Sequence, residues 1–269
     1  MPVEEINGTP LAYEVLGAGE PLVLVHGSWV DRQTWVFAAP ALANDFQVVM
    51  YDRRGHGESS GPPEAGTVHD DVADLAALIE RLDLAPVNLV CNSFGGCVGL
   101  RLTVDRPDLV RRTVAHEPPL IELLADDPDA KAIAEDFTAS MEAVMQLLVA
   151  GEHAAAAERF VEDVALGPGA WAQIPPPMQE VFVRNAPTFL GEMRDPDGFT
   201  IDVDRLARVS TPMLLSQGDQ SPAMFAPIID QVAAKVPDAT RHTYVGAGHV
   251  PHLTHLDEYV AEVTRFLRS

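Results

Sequence analysis

The chain has 269 residues, and its 40 acidic and 18 basic side chains give a formal net charge of −22. So negative a surface repels nucleic acid and anionic lipid, which favours a small neutral or apolar substrate over a polyanion. Hydrophobic residues make up 47% of the chain, enough for the core of one large α/β domain. No apolar run is long enough to cross a bilayer and the first residues are acidic, so we expect a cytoplasmic protein with no membrane partner.

The first part of the chain alternates strand and helix patterns. A hairpin is predicted around Asn7-Gly8, and helical spacing of apolar residues predicts two helices. Continuous apolar runs, typical of strands covered on both faces, follow at regular intervals. The predicted strands are 3–6, 11–16, 21–25, 46–51, 87–90 and 112–116, and the predicted helices are 31–42 and 68–82. Such alternation predicts a mostly parallel sheet flanked by helices.

The rhythm breaks after residue 117 and resumes near residue 206. Between them the sequence is rich in alanine, punctuated by proline and free of strand patterns. Helices are expected at 130–148 and 152–164, with a stiff joint at 175–177. Strands return at 212–216 and 242–245, with helices ending near 236 and 267. We therefore expect a core domain of residues 1–117 and 206–269, and an all-helical cap of residues 118–205 inserted after the sixth strand.

Ser93 is the candidate nucleophile. It ends the apolar run 89–92 and is followed at once by Phe94, two glycines and a helical pattern. This segment approximates G-x-S-x-G, in which a strained corner between strand and helix exposes the serine hydroxyl. Cys91 stands where that pattern has its first glycine, and we expect Cys91 and Cys97 to be buried thiols rather than a disulfide or metal pair.

A serine nucleophile needs a base and an acid that orients the base. His249 follows the last predicted strand in a glycine-rich loop and is the preferred base over His252 and His255. Two carboxylates at strand ends satisfy the chain order serine, acid, histidine. They are Glu117, after strand 112–116, and Asp219, after strand 212–216.

These motifs, together with Val25-His26-Gly27-Ser28-Trp29 and the turn-rich loop 52–59, resemble the α/β-hydrolase fold with a helical cap. Most of that family carries its acid at a position that corresponds here to Ser221. Zearalenone-type lactonases carry a glutamate after the preceding strand instead, and segments 115–119 and 248–251 resemble theirs. The resemblance therefore favours Glu117 as the acid, with Asp219 as the alternative.

The resemblance also implies the remaining parts of the site. Backbone N–H groups of Phe94 and Ser28 are expected to form the oxyanion hole, and Gly27 lets the turn come close. Loop 52–59, including His56, is expected to be structural. Apolar side chains proposed for the substrate pocket are Trp29, Trp171, Met178, Phe182 and Phe189. We expect no metal and no cofactor, since neither a zinc spacing nor a phosphate loop is present.

The sequence thus predicts a serine hydrolase that cleaves a small ester or lactone through an acyl-enzyme, acting as a monomer or homodimer. Two alternatives stay open. The same residues could serve C–C bond hydrolysis or peracid formation of the haloperoxidase kind. A non-catalytic sensor of small molecules on the same fold is the third hypothesis.

Overall fold

A computed structural model describes residues 2–59, 61, 66–125, 127–236 and 238–269. In this part of the chain eight strands form one sheet in the order β1-β2-β4-β3-β5-β6-β7-β8. The first two strands pair antiparallel with their neighbours, and the other pairs are parallel. The strands are Val3–Ile6 (β1), Thr9–Leu16 (β2), Glu20–Val25 (β3), Phe46–Tyr51 (β4), Val87–Asn92 (β5), Val110–His116 (β6), Met213–Gly218 (β7) and Thr240–Tyr244 (β8).

Helices cover both faces of the sheet and fill the segment between β6 and β7. The α-helices are Ala38–Leu42 (α1), Val68–Arg81 (α2), Phe94–Asp105 (α3), Lys131–Val149 (α4), His153–Phe160 (α5), Pro176–Asn185 (α6), Thr188–Arg194 (α7), Val203–Leu206 (α8), Phe225–Lys235 (α9), Pro251–Thr254 (α10) and Leu256–Leu267 (α11). A π-helical turn, Val161–Ala165, extends α5, and short 3-10 helices lie at Arg32–Trp35, Pro107–Leu109, Ile121–Leu124 and Trp171–Gln173.

Local sequence chemistry explains several of these boundaries. Asn7 and Gly8 both have positive φ, as a two-residue hairpin turn requires. Thr67 and Asp70 form a reciprocal capping box at the start of α2. The single helix expected at 31–42 is instead a 3-10 turn followed by α1, because Pro40 cannot donate a backbone hydrogen bond to the preceding turn.

The sheet order brings the carboxyl ends of β3, β5, β6 and β7 side by side at one edge. Apolar side chains of the sheet and its flanking helices form three buried clusters, and a fourth lies mainly within the helical segment after β6. Within the described residues of 118–205 no strand is found. The predicted α/β fold with a helical insertion is confirmed, and its sheet edge is where loops can bring reactive groups together.

Candidate active site

Ser93 lies at the sharp corner between β5 and α3. Its backbone has φ 54° and ψ −128°, a region that residues other than glycine rarely adopt. The Ser93 amide donates to the His116 carbonyl of β6 at 2.9 Å, which fixes the corner against the neighbouring strand. A side chain at Gly95 would collide with the carbonyl oxygens of Val25 and His26. The corner therefore requires a glycine at position 95, two residues after Ser93, and it holds the Ser93 side chain at the edge of the sheet.

Cys91 replaces a glycine of the usual motif without opening the strand–helix contact. Its side chain is fully buried and points at Gly99, one turn into α3. A Cβ at Gly99 would overlap the Cys91 sulfur, so the thiol occupies the space left by the missing side chain of Gly99. Burial raises the pKa of Cys91 far above its ordinary value, so the thiol is an inert packing group.

His249 and Glu117 are directly hydrogen-bonded. The Glu117 Oε2 lies 2.6 Å from His249 Nδ1, and both side chains are buried. A carboxylate only accepts, so Nδ1 carries the proton and Nε2 is left as the basic nitrogen. The Phe225 ring stacks on the imidazole with centroids 4.7 Å apart, and Asn92 Nδ2 donates to the His249 carbonyl at 3.1 Å. The imidazole is thus held in one orientation and one tautomer.

Glu117 sits in a left-handed backbone conformation, φ 47°, directly after β6. Its amide donates to the Ser216 carbonyl, and its Oε1 accepts from the Gly218 amide at 2.7 Å. Burial by itself would raise the pKa of Glu117, but the adjacent His116 and His249 rings outweigh it and hold this pKa below its usual value. The side chain is therefore ionised at neutral pH.

His116 is a neighbour of this pair that sequence reasoning did not assign to the site. It is fully buried, with Nε2 3.6 Å from Glu117 Oε2 and Nδ1 3.0 Å from the Ser216 hydroxyl. Burial lowers the pKa of His116 to about 4, so the ring is neutral near pH 7. Its signal in the sequence was its place directly before Glu117, at the end of a predicted strand.

Asp219 binds the backbone of the loop that carries His249 rather than the imidazole itself. It is exposed, and its Oδ1 accepts from the Gly246 amide at 2.7 Å and from Gln220. Ser221, at the position where most of the family carries an acid, has a buried hydroxyl close enough to Glu117 to help lower that residue's pKa, although it forms no hydrogen bond of normal geometry. The geometry therefore pairs His249 with Glu117, and it gives Asp219 a role in shaping the loop that carries His249.

The two residues expected to supply oxyanion donors flank the nucleophile. A Cβ built on Gly27 would lie 2.9 Å from the Ser93 Cβ and 3.4 Å from its Oγ, so the turn after β3 passes in van der Waals contact with the serine. Ser28 follows Gly27 and shares a cavity with Ser93. Phe94 begins α3, and its ring is fully buried.

A narrow apolar cavity of about 30 Å³ lies at Ser93 and His249. Among the described residues, only these two and Ser28 contribute polar side chains to its wall. The apolar lining comes from the core and from the helical segment: Pro119, Phe137, Met141, Phe160, Val164, Ala165, Phe189, Phe199, Met224 and Phe225. A volume of this size holds about one water molecule. In this structure the cavity at Ser93 and His249 is therefore too small for an ester substrate.

Of the five side chains proposed for the pocket, only Phe189 belongs to this lining. Trp29 is fully buried behind it and stacks on Phe160 with centroids 4.7 Å apart. Trp171 and Phe182 meet edge-to-face, and together with Met178 they pack inside the helical segment. In this structure these four side chains bury the helical segment or pack behind the wall, and their contact with a substrate stays a prediction. Sequence reasoning missed Phe137, Phe160 and Phe225.

The turn-rich loop 52–59 and its His56 lie outside the cavity wall. Loop 52–59 is held by structural contacts: Asp52 accepts from the backbone amide of Glu58 within the loop and from that of Arg32 outside it, both at 2.8 Å. His56 bonds to Thr188 and to the Arg54 carbonyl, away from the cavity.

One group of described residues could ligate a cation, namely His116, Glu117 and His249, whose ligand atoms lie within 4.8 Å of one another. A cation there would have to displace the hydrogen bond between Glu117 and His249. In the part of the chain that the structure describes, no helix has the length and apolar character needed to span a bilayer.

Several known proteins are similar to this chain in sequence or in fold. The profile of the alpha/beta hydrolase family matches residues 22–262. A Synechocystis sp. protein, whose name proposes a non-heme chloroperoxidase, is 28% identical over 95% of this chain and 94% of its own length. The structure of Est816, titled an N-acyl homoserine lactone degrading enzyme, has a TM-score of 0.74 at 22% identity, covering 98% of this chain and all of that one. Bromoperoxidase from Bacillus anthracis has a TM-score of 0.78 at 22% identity, covering 97% and 96%. The fold, the corner at Ser93 and the family match agree: this chain belongs to the alpha/beta hydrolase family.

Proposed function

We propose that this chain is a serine hydrolase that cleaves a small, uncharged carboxylic ester or lactone through an acyl-enzyme. One observation carries the proposal. One apolar cavity exposes both Ser93 and His249, while Nδ1 of that histidine is hydrogen-bonded to the buried Glu117 carboxylate at 2.6 Å. A nucleophile, a base and an orienting acid in this order are what acyl transfer by serine requires.

The reaction begins when His249 Nε2 takes the proton of the Ser93 hydroxyl as Oγ attacks the carbonyl carbon. The resulting oxyanion accepts hydrogen bonds from the backbone amides of Ser28 and Phe94. Glu117 keeps the proton on Nδ1 and stabilises the imidazolium. His249 then protonates the leaving oxygen, which departs as an alcohol or stays attached as the opened end of a lactone.

A water molecule completes the turnover. His249 removes its proton while the oxygen attacks the Ser93 ester, and a second tetrahedral oxyanion forms at the same donors. Collapse of that intermediate returns the proton to Ser93 Oγ and releases the carboxylic acid. The reacting groups therefore come from the chain, the substrate and one water molecule.

We propose that residues 118–205 act as a lid. The cavity holds about one water molecule, whereas occupied ligand sites measure roughly 300 Å³ or more. Phe137, Met141 and Phe160 contribute wall from this segment, so an ester enters when they move outward. The wall has no charged side chain among the described residues, which favours an uncharged acyl group.

The test is the hydrolysis of p-nitrophenyl esters of increasing acyl length and of simple lactones. A burst of one p-nitrophenol per chain, followed by slower turnover, is expected for the wild type and is lost in Ser93→Ala. A wild type that shows no turnover and no burst on any ester or lactone contradicts the proposal, and tight ligand binding by such a protein would favour a sensor.

A second candidate function is peracid formation, in which hydrogen peroxide replaces water in attacking the acyl-enzyme. The name of the Synechocystis relative favours it. Adding acetate, hydrogen peroxide, bromide and monochlorodimedone separates the two. Halogenation that depends on Ser93 and exceeds ester hydrolysis would favour the second candidate.

A further inference from the structure

Glu192 is a buried carboxylate of the helical segment that contacts residues of the core. It lies on α7, is 5% exposed, and reaches the turn after β3. Its Oε2 accepts a short hydrogen bond from the Ser28 hydroxyl, and its Oε1 lies 2.5 Å from an Arg53 guanidinium nitrogen. A carboxylate desolvated to this degree is costly unless it is paired, so the two contacts define where Glu192 sits.

Arg53 connects this carboxylate to both sides of the nucleophile. It is buried, forms a second ion pair with Asp71 at 2.7 Å and donates to the Gly27 carbonyl at 3.3 Å. Its guanidinium carbon lies 4.8 Å from the centre of the Phe94 ring. The Arg53 guanidinium therefore contacts both Gly27, which precedes Ser28, and the side chain of Phe94.

We propose that Glu192 is a positioning residue: by holding the Ser28 side chain and Arg53, it sets the backbone amides of Ser28 and Phe94 at the distance that an oxyanion requires. The proposal rests on the proposed serine hydrolase mechanism and adds a residue from the lid segment to it. Oxyanion donors act only over a narrow range of distances, so a shift of a fraction of an ångström in the turn weakens the transition state more than substrate binding.

The arrangement also makes catalysis depend on lid closure. Glu192 belongs to the segment that supplies much of the cavity wall, whereas Ser28 and Arg53 belong to the core. When α7 is docked, the tether to Ser28 is made and the donors are aligned. When the segment moves outward, the tether breaks, so the oxyanion hole is complete only over an enclosed substrate.

Three variants and a matched control test this assignment. Ser28→Ala removes the tether but keeps its backbone amide and the ion pair of Arg53. Glu192→Ala removes both contacts. Glu192→Gln is the conservative change, because its oxygen can face Arg53 while its amide donates to the Ser28 hydroxyl. The control is Asp195→Ala, which removes a different bond between the lid segment and the core, from the Val68 amide to the Asp195 carboxylate at 2.7 Å.

For p-nitrophenyl acetate we expect kcat to fall about tenfold or more in Ser28→Ala and Glu192→Ala with KM changed less than threefold, a loss below that of deleting a whole donor. The double variant Ser28→Ala/Glu192→Ala should have a kcat no lower than that of the less active single variant, because both changes remove the same hydrogen bond between Ser28 and Glu192. Glu192→Gln should stay within a few-fold of wild type, and Asp195→Ala should keep wild-type kcat. Affinity for a trifluoromethyl ketone, which forms an oxyanion on Ser93, should fall in parallel with kcat.

Amide hydrogen exchange of residues 26–30 gives a readout that does not need turnover. Positioning by Glu192 predicts faster exchange of this turn in Glu192→Ala and Ser28→Ala, with little change in Asp195→Ala. Unchanged exchange, or equal kcat losses in Glu192→Ala and the control, would overturn the inference. A wild type inert towards esters but with the predicted exchange pattern would instead refute the proposed function and leave the positioning role standing.

Discussion

Replacing Glu117 by glutamine should nearly abolish catalysis while leaving the fold intact. In the wild type the carboxylate accepts two hydrogen bonds, from the Gly218 amide at 2.7 Å and from His249 Nδ1 at 2.6 Å. A glutamine offers one accepting oxygen and one donating amide group. The Gly218 amide can only donate, so the glutamine oxygen must face it and the NH₂ group must face His249.

The consequence is a change of tautomer. An NH₂ group facing Nδ1 stabilises the imidazole with its proton on Nε2, and that form cannot accept the proton of Ser93. The opposite glutamine orientation sets two donors against each other at Gly218 and leaves a buried amide unsatisfied. We expect kcat to fall by about a thousandfold or more, which corresponds to roughly 4 kcal/mol of transition-state stabilisation.

The assay is kcat for p-nitrophenyl acetate in Glu117→Gln and in the matched Asp219→Asn, with thermal unfolding followed in both. Asp219 is exposed, and an asparagine oxygen can still accept from the Gly246 amide, so Asp219→Asn should stay within a few-fold of wild type. A Glu117→Gln variant within tenfold of wild type, or an inactive but folded Asp219→Asn, would refute the assignment of Glu117.

Three further outcomes follow from other contacts. Gly27→Ala should lower kcat at least a hundredfold, because its Cβ would lie 2.9 Å from the Ser93 Cβ; an active variant with unchanged kinetics would show that the turn yields. Gly99→Ala should lower the free energy of unfolding in urea by about 1–3 kcal/mol, because the new methyl group overlaps the Cys91 thiol. Adding Cys91→Ala to that variant should recover most of the loss. A double variant no more stable than Gly99→Ala would contradict this packing. The pKa of His116 is about 4 in the fold, below its unfolded value near 6.5, so the unfolded chain binds a proton that the folded chain does not. The free energy of unfolding should therefore fall as the pH drops from about 6.5 to 4, by up to about 1.4 kcal/mol per pH unit. His116→Gln should make that slope shallower by about this amount in urea unfolding at a series of pH values, and an unchanged slope would place the proton elsewhere.

The fold followed from the sequence because its signals are local and repeated. Buried parallel strands read as continuous apolar runs, and the loss of that rhythm at residue 118 marked the helical insertion. The corner at Ser93 was predictable for the same reason, since small residues must follow a nucleophile in a strained turn. The apolar spacing over 31–42 predicts one helix, but Pro40 lacks the backbone N–H that would bond to the preceding turn, and the segment divides into a 3-10 turn and α1.

The partners of His249 lie further from what a sequence can show. Glu117 and Asp219 had equal standing by chain order, and only the positions of neighbouring strands place one carboxylate against the imidazole. The cavity wall was the least predictable part, because an aromatic residue such as Trp171 reads alike whether it faces a cavity or another helix. Glu192 gave no signal, since its contacts span 139 residues to Arg53 and 164 to Ser28.

The proposed mechanism is tested most directly by locating the acyl group on the chain during turnover. Wild-type protein mixed with p-nitrophenyl acetate, quenched with acid during the burst and digested, should yield one acetylated peptide with the acetyl group on Ser93. Glu117→Gln should form the same adduct far more slowly, and Ser93→Ala should form none. Turnover without any adduct on Ser93, or an acetyl group on another residue at the same burst amplitude, would contradict the proposed mechanism.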